Sequence, residues 1–355
     1  MRVGVICPYS LTIPGGVQGQ VLGLGRSLRA MGHQVSVLGP CDGPPPDAGV
    51  VPLGKSIPTA ANGSVAPIAP DVSAQLRTIR ALRDEAFDVL HLHEPLAPGP
   101  TLTAILFKNA PTIGTFHAAG GSAAYRWFKP FVRGLARRLD ARCAVSEDAR
   151  RMAADALGGD YTVLFNGIEV ERFAKATPWP SDGPTVFFCG RHEPRKGLSV
   201  LLEAMKILPR EVRLWVGSDG PDTVLLRAAT AGDDRVEWLG RISDGEKAAR
   251  LRGADVFCCP SVRGESFGVV LLEGMASQTP IVASDLPGYR NVARAGRDAL
   301  LVAPDDPPAL AEALRRVLTD TDLSGALVAS AEVRANGFSM DRLAEHYAEM
   351  YRAIA

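Results

Sequence analysis

The sequence predicts an α/β protein built from two doubly wound domains, and three observations carry that expectation. The chain has 355 residues, more than one hydrophobic core normally organises. Short apolar runs alternate with stretches of helical spacing, the pattern of parallel sheets covered by helices on both faces. The alternation restarts after a Pro-rich stretch at 178–184, which reads as a linker and sets the division near 168–184. The first domain is expected over residues 1–170 together with a final helix at 339–355, and the second over 171–338.

The elements follow in order. Residues 3–7 form an apolar strand, the Pro14-Gly15-Gly16-Val17-Gln18 turn follows it, and a helix runs from about 18 to 30. Strands at 34–38, 89–91, 112–116 and 141–146 continue the first half, with a helix at 72–84. Residues 41–70 are rich in Pro, Gly and Ala and read as a long loop with at most short strands. In the second half, strands are expected at 186–189, 213–216, 236–239, 256–259, 281–283 and 299–301, with a helix at 197–208 after the first of them. The last helix, 339–354, has no strand after it and is expected to cross back onto the first domain.

Composition narrows the function classes. Hydrophobic residues make up 46% and charged residues 22%, as in soluble globular proteins. Lys+Arg and Asp+Glu both number 39, so the net charge is zero, which argues against a dedicated nucleic-acid binder. The six cysteines include no C-x-x-C pair, and most lie in apolar strand-like runs. They read as small buried side chains rather than a disulfide frame or a zinc site. No signal-peptide pattern opens the chain and no 18-residue apolar window occurs. A cytoplasmic protein is expected, with any membrane contact peripheral.

In open α/β sheets, ligands sit beyond the carboxyl ends of the strands, and unusual residues gather there. The Gly15-Gly16 turn suits close approach of a phosphate to a helix start, and suits a plain tight turn equally well. Gly190-Arg191-His192-Glu193-Pro194-Arg195-Lys196-Gly197 places three basic residues within six positions at a strand end, the charge that a diphosphate requires. Arg263-Gly264-Glu265-Ser266-Phe267-Gly268-Val269 follows another strand end. Its glycines bracket a turn, and Ser266 and the next amides are expected to open a helix that favours phosphate. Glu273 sits in an otherwise apolar helical stretch. Its carboxylate requires a partner, which ribose hydroxyls would supply; an exposed surface position is the alternative. His117 closes a strand near Gly120-Gly121 and joins the candidate site. His91, His93 and Glu94 form an H-x-H-E cluster whose two imidazoles share one strand face, but no third ligand is evident, so no metal site is expected. Residues 124–138 carry five basic and no acidic side chains. Phe128, Phe131, Val132, Leu135 and Leu139 fall at helical spacing. A core-facing helix is favoured there over one that meets anionic lipid.

Together the motifs resemble the retaining glycosyltransferases of the GT-B family that includes sucrose and trehalose synthases and bacterial mannosyltransferases. The resemblance runs over nearly the whole chain: P-G-G-V-Q at 14–18, D-V-L-H-L-H-E-P at 88–95, T-F-H at 115–117, A-V-S at 144–146, N-G-I at 166–168, G-R-x-E-P-R-K-G at 190–197, P-S-x-R-G-E-S-F-G at 260–268 and L-L-E-G-M-A at 271–276. Pro8-Tyr9-Ser10 and Asn62-Gly63-Ser64-Val65-Ala66 are most similar to the actinobacterial phosphatidylinositol mannosyltransferases. The resemblance implies two Rossmann-like domains facing a central cleft and a nucleotide-sugar partner. It assigns Arg191 and Lys196 to the donor diphosphate, Glu265 to the sugar with the 266–269 amides (Ser266, Phe267, Gly268, Val269) close by, and Glu273 to the ribose. Gly217, Arg241 and Ile242 complete the donor set, with Gly15 and Gly16 at the diphosphate. His117 would contact the sugar, and His117, Glu265, Arg191 and Lys196 form the catalytic set. Tyr9, Gln18 and Asn62 would lie toward the acceptor. The chain departs from the lipid-inositol pattern at Ala61, where an aromatic residue is usual, and at 118–122, where Ala-Ala-Gly-Gly-Ser lacks the usual Lys.

The implied reaction moves a hexose, mannose from GDP-mannose, to an acceptor such as phosphatidylinositol with retention of the α configuration. No cofactor and no essential metal are expected, because no Asp-x-Asp motif lies at a strand end. Arg191, Lys196 and helix-terminal amides would then meet the leaving group's charge. Closure of the domains would exclude water from the donor. The alternatives are a transferase using a UDP-sugar and another acceptor, a nucleotide-sugar epimerase, and a non-catalytic sugar-nucleotide sensor.

Overall fold

A computed structural model of the chain describes residues 1–61, 64–117 and 129–355. It divides into two compact units, Met1–Gly167 with Met340–Ala355, and Ile168–Ser339.

The first unit is built on a seven-stranded parallel sheet in the order β3-β2-β1-β6-β7-β8-β9. Its strands are β1 (Arg2–Ile6), β2 (Gln34–Gly39), β3 (Val50–Pro52), β6 (Val89–His93), β7 (Thr112–Phe116), β8 (Ala141–Ala144) and β9 (Thr162–Val163). The runs Val-Gly-Val-Ile, Val-Leu-His-Leu-His and Thr-Ile-Gly-Thr-Phe are buried throughout, as strands covered on both faces must be. The strand order reverses between β1 and β6, so Cys7 and His93 leave the sheet at its switch point. The helix Gly16–Ala30 packs Val21, Leu24 and Leu28 on one face. The last helix, Met340–Ile354, joins the same core through Met340, Ala344, Tyr347, Ala348 and Tyr351. That spacing is one apolar stripe on an α-helix.

The expected loop at 41–70 contains short strands, as the sequence reading allowed. Besides β3, it forms an antiparallel hairpin of β4 (Ile57–Ala61) and β5 (Ser64–Ile68), with Pro58 opposite Pro67. A two-stranded ribbon consists of two edges, and an edge tolerates the missing N–H of proline.

The second unit has a six-stranded parallel sheet in the order β12-β11-β10-β13-β14-β15. These are β10 (Thr185–Cys189), β11 (Arg213–Gly217), β12 (Val236–Gly240), β13 (Val256–Cys259), β14 (Ile281–Ser284) and β15 (Leu300–Val302). Apolar side chains cover both faces: Phe187, Phe257 and Leu271 on one, Phe188, Leu201 and Leu314 on the other. Here the switch point lies between the adjacent strands β10 and β13. The two motifs singled out in this half leave from those two strand ends.

The Pro-rich stretch 178–184 is not a linker but part of the second unit. Trp179 N–H donates to the Ala249 carbonyl at 2.9 Å, and the Arg250 guanidinium lies 4.2 Å from the Trp179 ring centroid. The aromatic anchor holds down a segment whose prolines alone suggested a free connector. All six cysteines are free, and all but Cys189 are buried.

Candidate functional site

In the second unit, the loops after β10 and β13 are pressed together. A 3-10 turn, Pro194–Lys196, ends at Gly197, which has φ +69°. A Cβ at Gly197 would stand 1.9 Å from the Pro260 carbonyl oxygen, so only glycine lets the two loops meet. That contact brings Lys196 onto Glu265. Lys196 Nζ donates to Glu265 Oε1 at 2.6 Å, and Ser261 Oγ donates to the same oxygen at 2.8 Å. Since the Ser261 proton is committed to the carboxylate, the buried Tyr289 hydroxyl, 3.0 Å away, donates to Ser261 Oγ. Arg195 pairs with Glu193 at 2.6 Å, and the half-exposed Arg191 lies 3.7 Å from the same carboxylate. Arg191, Lys196 and Glu265 therefore share one edge of the sheet, with cations held by carboxylates and one guanidinium still open to solvent.

One expectation for the G-E-S-F-G loop requires correction. The helix opens at Val269 rather than at Ser266, with Gly268 as its cap at φ +92°. Only the amides from Gly268 onward belong to that helix start; the Ser266 carbonyl accepts from Asn291 Nδ2 at 3.3 Å. The Phe267 side chain is 1% exposed and meets the Phe338 ring edge-on at 5.9 Å. It anchors the loop in the core, so a donor contact at this position falls to its backbone.

Glu273 also has a partner within the protein. Lys247 Nζ donates to Glu273 Oε1 at 2.7 Å, with both side chains largely buried. Burial alone would lower the Lys247 pKa, but the Glu273 carboxylate together with Cys189 and Asp244 outweighs it and the net shift is upward. Lys247 was missed in the sequence. Its one signal is its place in the first turns of the helix Asp244–Gly253, directly after the Arg241-Ile242 loop. At the same edge, a Cβ on Gly217 would lie 3.2 Å from Cys189 Sγ and 3.3 Å from Ile242 Cδ1. The largely exposed Arg241 donates through Nε to Asp219 at 2.8 Å.

In the first unit, Tyr9 bridges to Ile68 of the hairpin, and Ser10 Oγ donates to Asp42 at 2.5 Å. A Cβ on Gly15 would stand 2.4 Å from Gln18 Oε1, and Gln18 Nε2 donates to the Ser10 carbonyl at 3.4 Å. Tyr9, Ser10, Gly15 and Gln18 are thus gathered at the β1 end. A Cβ on Gly16 would meet nothing within 4 Å. Asn62, Ser122 and Arg126 lie outside the described residues, as do the side chains of Ala61 and Lys129. Of the amphipathic stretch 124–138, the described helix is Lys129–Ala136; Leu135 and Leu139 are buried, Val132 packs against the same core, and Phe131 is exposed.

His117 lies buried at the end of β7. Its Nε2 is 2.8 Å from His93 Nδ1, and its backbone N–H donates to Glu94 Oε1 at 2.9 Å. His91 bonds Tyr351 at 2.8 Å and Thr115 at 2.7 Å. Burial pushes the His91 and His117 imidazoles down to about 3, and His93 well below its usual value, so all three are neutral near pH 7. The H-x-H-E cluster is thus held in hydrogen bonds to its neighbours, except at His93 Nε2, which is buried without a partner among the described residues. No group of three or more His, Cys, Asp or Glu among the described residues is placed to hold a metal ion. No helix among them is long and apolar enough to cross a membrane.

The family models agree with this division. One for glycosyltransferase family 4 matches residues 14–172, and one for glycosyl transferases group 1 matches residues 183–320. The phosphatidyl-myo-inositol mannosyltransferase of Mycobacterium leprae (strain TN) is 39% identical over 367 aligned residues, covering 100% of this chain and 97% of that one. Two solved structures share the fold: sucrose-phosphate synthase from Thermosynechococcus elongatus (TM-score 0.76, 20% identity, 99% and 98% of the two chains) and Anabaena HepE in complex with UDP-glucose (TM-score 0.77, 18% identity, 99% and 100%). Likeness at 39% identity over the whole chain to the Mycobacterium leprae enzyme, together with the two family models, makes this chain a hexosyltransferase of the GT-B fold and a member of glycosyltransferase family 4.

Proposed function

We propose that this enzyme transfers mannose from GDP-mannose to a phosphatidylinositol-type acceptor, with retention of the α configuration, at the cytoplasmic face of a membrane. The observation that carries the proposal is the 39% identity, over the whole chain, to a phosphatidyl-myo-inositol mannosyltransferase. The chemistry of the described residues supports it. Arg191 and Lys196 supply positive charge for a diphosphate, with the amides at the start of the helix Val269–Ala276 beside them. Such fixed donors stabilise the negative charge that grows on the leaving diphosphate, with no metal needed for that step. Glu273 is the ribose acceptor, with Lys247 holding its carboxylate in place. The neutral His117 of the first unit is the sugar-side contact, and Tyr9, Gln18 and Asn62 belong to the acceptor side.

The test is a transfer assay with purified protein, labelled GDP-mannose and vesicles containing phosphatidylinositol. The proposal requires an α-mannosylated lipid whose formation depends on both substrates. Label transfer from UDP-glucose but not from GDP-mannose would overturn the donor, and turnover of the nucleotide sugar without acceptor would favour an epimerase. A second reading keeps the donor and changes the acceptor. Ala61 and the uncharged 118–122 segment favour it. Free inositol phosphate, run as a parallel acceptor, distinguishes the two.

A further inference from the structure

The ends of β6 and β7 hold a second hydrogen-bonded layer behind His117. His91 pairs with Ile113 and His93 with Thr115 across the parallel strands. Two residues further along β7, the diagonal neighbour of His91 is Thr115 and that of His93 is His117. Both diagonals are hydrogen-bonded, at 2.7 and 2.8 Å. The His93 ring lies tilted against His91 at 4.4 Å and stacks on His117 at 5.1 Å. His91 is held in turn by Tyr351, and Thr115 by Tyr347, both from the last helix. Glu94, at φ +48°, turns back to accept the His117 backbone N–H.

We propose that His93 and Glu94 are positioning residues for His117, with His93 fixing its imidazole as the neutral tautomer protonated on Nδ1. The tautomer follows from the other edge of His93. Its Nε2 is buried and has no hydrogen-bond partner among the described residues. A buried N–H without a partner is rarer and costlier than an unused lone pair. The His93 proton therefore belongs on Nδ1, where it is donated to His117 Nε2. His117 Nε2 accepts, and the His117 proton is left on Nδ1. Glu94 fixes the backbone from which that ring projects. His93 and His117 both line one small cavity, with Gln20, Thr115 and Asn166 among its other polar walls. A protonated His117 would turn Nε2–H against His93 Nδ1–H, so the pair also selects the neutral ring. This inference rests on the reading that His117 contacts the transferred sugar.

The experiment has a spectroscopic arm and a kinetic arm on the full chain. Histidine-selective 15N labelling gives a spectrum of six imidazoles, and long-range proton–nitrogen correlations report each tautomer. His117, identified by its loss in His117→Ala, should be Nδ1-protonated and neutral, and His93→Phe should convert it to a mixture. A wild-type His117 protonated on Nε2, or on both nitrogens, overturns the proposal even if His93→Phe does not fold. In the kinetic arm, His93→Phe should lower kcat about 10- to 100-fold with the KM for GDP-mannose little changed. His93→Asn, which keeps an N–H near the Nδ1 position, should restore most of it. The double variant His93→Phe/His117→Ala should be no slower than His117→Ala, whereas additive losses would contradict a shared role. Full transfer activity in His117→Ala would instead remove the reading of His117 itself, and the spectrum would still decide the pairing.

Discussion

Lys247 and Glu273 show how one residue pair changes the reading of a site. Glu273 looked like a carboxylate waiting for ribose, yet it already accepts from an ammonium at 2.7 Å. A ligand there meets a carboxylate already oriented, rather than a free charge. Replacing Lys247 by Met would leave Glu273 largely buried without its cation. We expect a loss of about 1–3 kcal/mol of stability in urea unfolding, together with weaker nucleotide binding. Unchanged stability with unchanged affinity would mean that the pair is incidental. The pairing could not be read from the sequence, because the partners stand 26 positions apart and neither motif names the other. Phe267 divides its roles: the resemblance assigned its backbone amide to the donor, and its ring is buried in the core.

At the scale of elements, the strand ends were legible and the irregular segments were not. Apolar runs that stop at His93, His117, Gly190 or Pro260 announce strands, and the chemistry sits where they stop. Residues 41–70 have no such period, since a proline-containing two-stranded ribbon needs neither alternation nor ladder donors on its outer edges. The 178–184 stretch was misread for a related reason: prolines mark a connector only when nothing anchors them, and Trp179 does. The approach of the loops after β10 and β13 depends on Gly197, with φ +69° and its Cβ direction blocked by Pro260. Gly197→Ala should therefore destabilise the second unit by at least ~1 kcal/mol and separate Lys196 from Glu265. A thermal melt and a nucleotide-binding curve on that variant check both parts. A variant as stable and as avid as wild type would refute the dependence.

For the whole molecule, the buried histidines of the first unit make stability depend on pH. Their folded pKa values lie below the unfolded value, at about 3 for His91 and His117 and in the same direction for His93. The unfolded chain therefore binds protons first as pH falls. The stabilising effect is complete above the unfolded pKa of about 6.5 and is lost between there and about 3. Each histidine that stays neutral in the fold should cost roughly 1.4 kcal/mol per pH unit in the lower part of that window. Urea unfolding at pH 7.5 and pH 5.0 reads this directly, and equal stabilities at the two values would show that the imidazoles are accessible to protons in the fold.

The central claim is that the loops after β10 and β13 bind the donor diphosphate through Arg191 and Lys196. Calorimetric titration of GDP-mannose into wild type, Arg191→Ala and Lys196→Ala tests it most directly. Removing either cation should weaken binding about 10- to 100-fold, with the protein still folded by circular dichroism. Affinities equal to wild type in both folded variants would contradict the claim.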